Sequence, residues 1–183
     1  MSREGQPEAA RRRPSPDGPG GAAQDADSVA RAIVLRALTG SARSRAELEA
    51  TLRRRGCDPQ VATRVLDRMA EVGLVDDAAY AEQLVQSRRR TKGLSGAALR
   101  KELRDKGIDD ETAAAAVGPV DEPSERARAE ALVERRLRSM GGLDPQVQAR
   151  RLAGMLARKG YAPGTAYAVV RDAINAAVEH RRD

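Results

Sequence analysis

The sequence predicts an all-α protein made of three tandem three-helix repeats, preceded by a disordered tail. The chain of 183 residues has no Phe, no Trp and only three Tyr, so Leu, Val, Ala, Ile and Met must form its core. Such side chains suit small helical units better than a large β-sandwich. Apolar residues also recur at three- and four-residue steps, and one leucine–glycine motif returns three times.

The repeated motif has the form Leu-x3-Leu-x3-Gly and occupies residues 48–56, 99–107 and 152–160. An apolar residue follows each glycine, and a helix with two adjacent apolar residues comes after a short turn. We expect the glycine to end its helix in a left-handed turn, the next residue to fold back onto the leucines, and the following helix to cross steeply. The motif thus recurs about every fifty residues, and a period of this length indicates an array of helical repeats in contact with one another.

The tail and the first repeat are predicted from composition and from helix-start signals. Residues 1–25 are rich in Pro and Gly and nearly devoid of large apolar side chains, which predicts disorder. Repeat 1 is expected at residues 27–73, and its first helix should run from about Asp27 to Gly40. The capping box Ser44–Glu47 opens the second helix, and Asp58–Pro59 opens the third.

Repeat 2 is expected at residues 76–118. We expect Asp76 or Asp77 to cap its first helix, the second helix to open near Ser95, and a short alanine-rich third helix to follow. That third helix buries little area for each alanine, so this repeat should have the weakest core. We interpret six of its residues as defining the fold: Asp76, Asp77, Tyr80, Leu99, Leu103 and Gly107.

Repeat 3 is expected at residues 123–180. A long charged helix should run from Pro123 to Met140, and Asp144–Pro145 should open the next helix, which ends at Gly160. The last helix carries an apolar face. Each repeat alone buries too little surface to be robust, so we expect the three to pack against one another.

Charge and composition bound the function. The formal net charge is +6, which favours a polyanionic or acidic partner, although a solvated surface would have the same composition. One Cys (Cys57) and one His (His180) argue against a disulfide framework and a Cys/His metal site. The acidic pairs stand at helix starts, where capping accounts for them. We therefore predict no catalytic residue, no metal and no cofactor.

The chain also lacks the features of a membrane or secreted protein. No apolar run approaches the roughly 20 residues needed to span a bilayer, and the N-terminus has no signal-peptide core. We therefore expect a cytoplasmic protein.

The run GLVDDAAYAEQLVQSRRRTKGLSGAALRKELRDKGI, residues 73–108, closely resembles the centre of the RecX family of regulatory proteins. The resemblance covers about residues 30–178, and Cys57 and Leu84 depart from it where an aromatic residue is frequent. It implies an elongated, curved array of three-helix repeats without catalytic residues. It also implies that the protein binds the RecA recombinase filament in its helical groove and dampens strand exchange, ATP hydrolysis and co-protease activity.

Two functional hypotheses follow. The first is a RecA-binding regulator, acting as a monomer, whose basic residues meet the filament and the single-stranded DNA within it. The second is a non-specific DNA-binding helical repeat protein that contacts single- or double-stranded DNA through phosphates, since the last helix of each repeat has few base-reading side chains. The expected basic face, each member of which could instead be merely solvated, comprises Arg53, Arg54, Arg88, Arg89, Arg90, Lys92, Arg100, Lys101 and Arg104.

Overall fold

The computed structural model of this chain describes the backbone of residues 19–179 and the side chains of residues 23–179. This part of the chain is helical, without β-strands. Its α-helices are α1 (Pro19–Gly40), α2 (Arg45–Arg54), α3 (Pro59–Glu71), α4 (Asp77–Lys92), α5 (Gly96–Asp105), α6 (Asp110–Val117), α7 (Glu122–Leu137), α8 (Pro145–Arg158) and α9 (Pro163–Glu179). A short 3-10 helix, Arg138–Met140, continues α7.

The helices form three three-helix repeats, α1–α3, α4–α6 and α7–α9. In each repeat the third helix packs against the first and the second. Each repeat encloses its own cluster of buried side chains, around Leu48 and Leu52 in the first, Leu99 and Leu103 in the second, and the corresponding pair in the third. The predicted all-α fold of three tandem three-helix repeats is confirmed.

The leucine–glycine motif has the same geometry in all three repeats. The glycines Gly56, Gly107 and Gly160 have φ values of 76°, 77° and 83°, in the left-handed region. The N–H of the next residue then donates to the main-chain oxygen of the second leucine, at 3.1 to 3.2 Å, in the pairs Cys57 to Leu52, Ile108 to Leu103 and Tyr161 to Leu156. The expected left-handed turn and the return of the chain onto the leucines are therefore present three times.

Helix α1 begins earlier than the sequence suggested. It starts at Pro19 rather than near Asp27, so residues 19–25 of the predicted tail are helical, and residues 1–18 lie outside the described part. The sequence of these extra turns has no apolar periodicity, so the hydrophobic pattern did not predict that they are helical. A helix propagates readily from a segment that packing already holds, and Pro is compatible with its first turn.

Repeat 3 departs from the other two at the start of its middle helix. Helix α8 begins about one turn earlier than α2 and α5 relative to the motif, so Gln148 stands where Ser44 and Ser95 cap those helices. Gln148 is buried, and its Nε2 donates to the main-chain oxygen of Met140 at 2.7 Å. The sequence predicted one helix that continues to Met140. In the structure α7 ends at Leu137, and the last turn is a 3-10 helix that precedes two glycines.

Candidate partner-binding surface

The junction between repeats 1 and 2 joins the start of α2 to the end of α5. The hydroxyl of Ser44, the buried N-cap of α2, donates to the main-chain oxygen of Lys106 at 2.6 Å. The N–H of Arg45 donates to Oδ1 of Asp77 at 2.8 Å, so a carboxylate of repeat 2 satisfies the first turn of α2. A side chain at Gly107 would overlap the Cβ of Ala46. The two helices thus meet end to end at close range.

Three side chains reinforce this junction. Nζ of Lys106 lies 2.5 Å from Oε1 of Glu47, and the hydroxyl of Tyr80 donates to Oε2 of Glu47 at 3.3 Å. Burial raises the pKa of Glu47, but hydrogen bonds from Lys106 and from the Ser44 N–H outweigh it, so that the pKa is lowered overall. The carboxylate of repeat 1 is therefore held in its charged form by groups of both repeats.

The junction between repeats 2 and 3 is built in the same way. The hydroxyl of Ser95, the buried N-cap of α5, donates to the main-chain oxygen of Gly160 at 2.7 Å. The N–H of Gly96 donates to the Glu125 carboxylate at 3.2 Å, as Arg45 does to an aspartate in the first junction. A Cβ on Gly160 would lie 2.7 Å from the Cβ of Ala98. The middle helices α2, α5 and α8 therefore stack in one row. The start of α2 meets the end of α5, and the start of α5 meets the end of α8.

Tyr161 adds a contact to the second junction. Its hydroxyl donates to the main-chain oxygen of Gly93 at 3.3 Å, and its side chain is also part of the core of repeat 3. Burial, with a smaller contribution from the Glu125 carboxylate, raises the pKa of Tyr161 to about 12. Nζ of Lys159 also donates to the main-chain oxygen of Lys92 across this junction.

The six residues interpreted as defining the fold lie at helix caps, in the core of repeat 2 or at its junction with repeat 1. Asp76 caps α4 by accepting the N–H of Ala79 at 2.9 Å. Two of the six, Asp77 and Tyr80, reach across to repeat 1. The others lie at the core or end of α5: Leu99, Leu103 and Gly107. Local pattern alone indicated their importance, but not that two of them act between repeats.

The nine predicted basic residues divide into two groups. Six are exposed at or near the ends of α2 and α4 and along α5, namely Arg53, Arg54, Arg90, Lys92, Lys101 and Arg104. Of these, Lys101 lies 2.6 Å from Asp105 and Arg104 lies 3.5 Å from Asp110. Exposed pairs of this kind contribute little to stability and leave the cations open to a partner.

The other three basic residues hold repeat 2 together. Nε of Arg88 lies 2.7 Å from Oε1 of Glu102, which joins α4 to α5. Nη2 of Arg89 donates to the main-chain oxygen of Val117 at 2.6 Å, and Nη2 of Arg100 donates to that of Gly118 at 3.3 Å. Two guanidinium groups therefore satisfy main-chain oxygens at the end of the short helix α6.

A further set of cations was missed by the sequence prediction. A groove of about 700 Å³ in repeat 3 is lined by Arg136, Arg150, Arg151, Gly154, Met155, Arg158 and Lys159. The sequence signal was present but weak, because the two basic pairs, one within α8 and one at its C-terminal end, are separated by about two helical turns, and the fifth cation comes from α7.

Two further observations concern the described residues as a whole. None of the helices between residues 19 and 179 combines the length and the apolar character needed to cross a membrane. Within the same range, His, Cys, Asp and Glu side chains form no group of three or more that could hold a metal ion.

Family models match each repeat separately. Residues 30–69 match the first three-helix domain of RecX, residues 76–117 the second, and residues 124–170 the third.

Curated relatives match most of the chain. The regulatory protein RecX of Thermobifida fusca (strain YX) is 47% identical over 164 residues, covering 90% of this chain and 89% of that protein. The regulatory protein RecX of Mycobacterium tuberculosis is 46% identical over 160 residues, covering 85% and 92%. That of Streptomyces coelicolor is 46% identical over 151 residues, covering 82% and 80%.

A solved structure shares the fold. The crystal structure of RecX from Lactobacillus salivarius superposes with a TM-score of 0.68 at 20% identity, covering 81% of this chain and 97% of that one. The three family matches, in chain order over the three repeats, and the identity to the curated relatives lead to one conclusion: this chain belongs to the RecX family of regulatory proteins.

Proposed function

We propose that this chain binds the RecA recombinase filament on single-stranded DNA and lowers strand exchange, ATP hydrolysis and co-protease activity. It acts as a monomer in the cytoplasm, without a cofactor and without chemistry of its own. Membership of a family of regulatory proteins supports this proposal, since a regulator of this kind needs a binding surface rather than a reaction centre.

One observation carries the proposal furthest: the end-to-end row of α2, α5 and α8. Two junctions with the same hydrogen-bond pattern, Ser44 to Lys106 and Ser95 to Gly160, hold successive repeats in the same relation to each other. A helical polymer presents identical subunits at a constant interval. A stacked repeat protein can therefore offer a series of related surfaces to neighbouring subunits of such a polymer.

The contact residues proposed for the filament are the exposed members of the predicted basic face. They project from repeats 1 and 2, and they can approach acidic side chains or DNA phosphates without breaking a core contact. Arg88, Arg89 and Arg100 stay in the proposal only as residues that support this face from within repeat 2, since each has an internal partner.

The test is a titration of the chain into RecA filaments on single-stranded DNA, with ATP hydrolysis and filament length as readouts. We expect both to fall, and we expect the double variant Arg53→Glu with Arg54→Glu to require a higher concentration for the same effect. The charge-matched control is Arg31→Glu with Arg36→Glu, on the exposed side of α1. Unchanged hydrolysis and filament length with excess protein would contradict the proposal.

A second candidate function is DNA binding without RecA, which the cationic groove of repeat 3 favours. Gel retardation of bare DNA, compared with retardation of RecA-coated DNA, separates the two. Preference for the coated DNA supports the regulator, and equal or weaker binding to it supports the DNA-binding protein.

A further inference from the structure

The groove between α7 and α8 is a concentrated site of positive charge. Four arginines and a lysine line it, with Gly154 and Met155 between them, and no acidic side chain is among its lining residues. Gly154 is in the interior of α8 and has no positive φ. A glycine at such a position destabilises a helix by about 1 kcal/mol relative to Ala, so the backbone conformation of α8 does not require a glycine here.

The cations of this groove have no carboxylate partners among the described residues. Elsewhere in repeat 3, Arg126 pairs with Glu130 and Asp172, and Arg128 pairs with Glu125. Nη1 of Arg136, in contrast, donates to the hydroxyl of Ser139 at 3.5 Å, and Arg136 forms no ion pair with a described residue. The arginines of α8 that line the groove form no ion pair within the described chain: Arg150, Arg151 and Arg158.

Crowded like charges raise the free energy of the unbound groove. Burial, with a smaller contribution from the nearby charge of Arg135, lowers the pKa of Lys159 at the end of this groove. A bound polyanion would relieve this repulsion and release its own counterions at the same time.

An exposed aromatic ring lines the neighbouring groove on the other side of α8. Tyr167 on α9 is 69% exposed, whereas Tyr80 and Tyr161 are half-buried and buried. Tyr167 and Arg150 border a second groove, of about 400 Å³, between α8 and α9. Arg150 also lines the cationic groove, so this one cation borders both the groove of the ring and the groove of the other cations. The guanidinium carbon of Arg171 lies 6.0 Å from the ring centroid.

A cationic track beside an exposed aromatic ring is the arrangement by which proteins hold unpaired nucleic acid strands. The cations contact successive phosphates, and the ring stacks on a base. A duplex keeps its bases stacked on one another, so it could use the cations but not the ring. An acidic protein surface would likewise leave the ring without a stacking partner.

We infer that the α7–α8 groove and Tyr167 bind a single-stranded nucleic acid, with phosphates at the groove cations and one base on the tyrosine ring. None of these residues belongs to the basic face proposed for RecA. The inference goes beyond RecA binding and deepens the second candidate function: it gives nucleic acid binding a defined site and a single-stranded ligand, and it can hold or fail independently of RecA binding.

The test measures the affinity of the full chain for a fluorescein-labelled oligothymidylate by fluorescence anisotropy, over a series of salt concentrations and without RecA. We expect Arg150→Ala, Arg151→Ala and Arg158→Ala together to weaken binding at least about tenfold and to reduce the salt slope by about 2. We expect Tyr167→Ala to weaken binding about fivefold or more without changing the slope, and Tyr167→Phe to retain affinity. Circular dichroism checks that each variant is folded.

The charge-matched control is Arg31→Ala, Arg36→Ala and Arg43→Ala, which removes three exposed cations of repeat 1 that belong neither to the groove nor to the basic face. An equal loss in the control would overturn the inference, because the binding would then reflect overall charge. A Tyr167→Ala variant with unchanged affinity, or with the same loss on duplex DNA, would overturn it too. The groove variants could also bind oligothymidylate as well as the original chain does and yet bind RecA more weakly. That result would overturn the inference, since the groove would then serve a protein partner.

Discussion

The hydroxyl of Ser44 donates to the main-chain oxygen of Lys106, a residue 62 positions later in the chain, while its Oγ accepts the N–H of Glu47 at 3.2 Å. One side chain thus starts α2 and attaches it to the end of α5. Ser95 does the same for α5 and α8. Because capping and stacking use the same atom, the stability of a helix start and the contact between repeats are coupled.

This coupling predicts a larger cost for Ser44→Ala than capping alone would give. The substitution removes a cap worth about 1 kcal/mol and leaves the Lys106 carbonyl without its donor, for a total of roughly 2 to 3 kcal/mol. Urea unfolding followed by circular dichroism measures the loss. Thr39→Ala is the control, since its hydroxyl bonds only within α1. If both variants lose the same small amount, the hydroxyl does not join the repeats.

The motif glycines allow a matched comparison of two effects. Gly56 and Gly107 share the left-handed conformation, but a Cβ at Gly56 would meet nothing within 4 Å, whereas at Gly107 it would overlap Ala46. We expect Gly56→Ala to cost about 1 to 2 kcal/mol of unfolding free energy from backbone strain alone. Gly107→Ala should cost at least about 1 kcal/mol more, because the junction must open. Equal costs in urea unfolding would argue against the close approach.

The sequence predicted those parts of the molecule that depend on neighbours in the chain. The leucine–glycine motif, the cap of α4 at one of two adjacent aspartates and the cap at Ser95 involve groups within a few residues, so period and residue type suffice to predict them. The second bond of Ser95 was not predictable, because its acceptor is 65 residues away. The basic face illustrates the same limit. Arg89 looks like Arg90 in the sequence, and only the position of α6 makes one of them internal.

That difference between adjacent arginines is testable. Arg89→Met keeps the aliphatic stem but removes the donor to the Val117 carbonyl, and we expect a loss of about 1 to 2 kcal/mol in unfolding free energy. Arg90→Met should stay within about 0.5 kcal/mol, since its exposed side chain can change without leaving a group unpaired. Thermal and urea unfolding of the two variants provide the measurement. A loss at Arg90 as large as at Arg89 would mean that total charge, rather than the cap of α6, matters.

The first junction should also depend on pH through Glu47. Its pKa is lowered from 4.5 in the folded chain, because the hydrogen bonds from Lys106 and Ser44 outweigh the effect of burial. A carboxyl group with a lowered folded pKa contributes stability above its unfolded pKa, and the contribution is lost as the pH falls through the folded value. Lys106 has a raised pKa, through its hydrogen bond with Glu47, so its contribution is lost only at strongly alkaline pH.

We therefore expect the free energy of unfolding to fall more steeply below pH 4.5 in the original chain than in Glu47→Gln. Near neutral pH the variant should be the less stable of the two, because its amide is a weaker acceptor for the Lys106 ammonium than the carboxylate. Glu49→Gln is the control, since Glu49 is exposed on the same helix and forms no ion pair with a described residue. Urea titrations at a series of pH values give the two slopes. If Glu47→Gln kept the full acid sensitivity while Glu49→Gln reduced it, the charged junction between repeats 1 and 2 would not be its source.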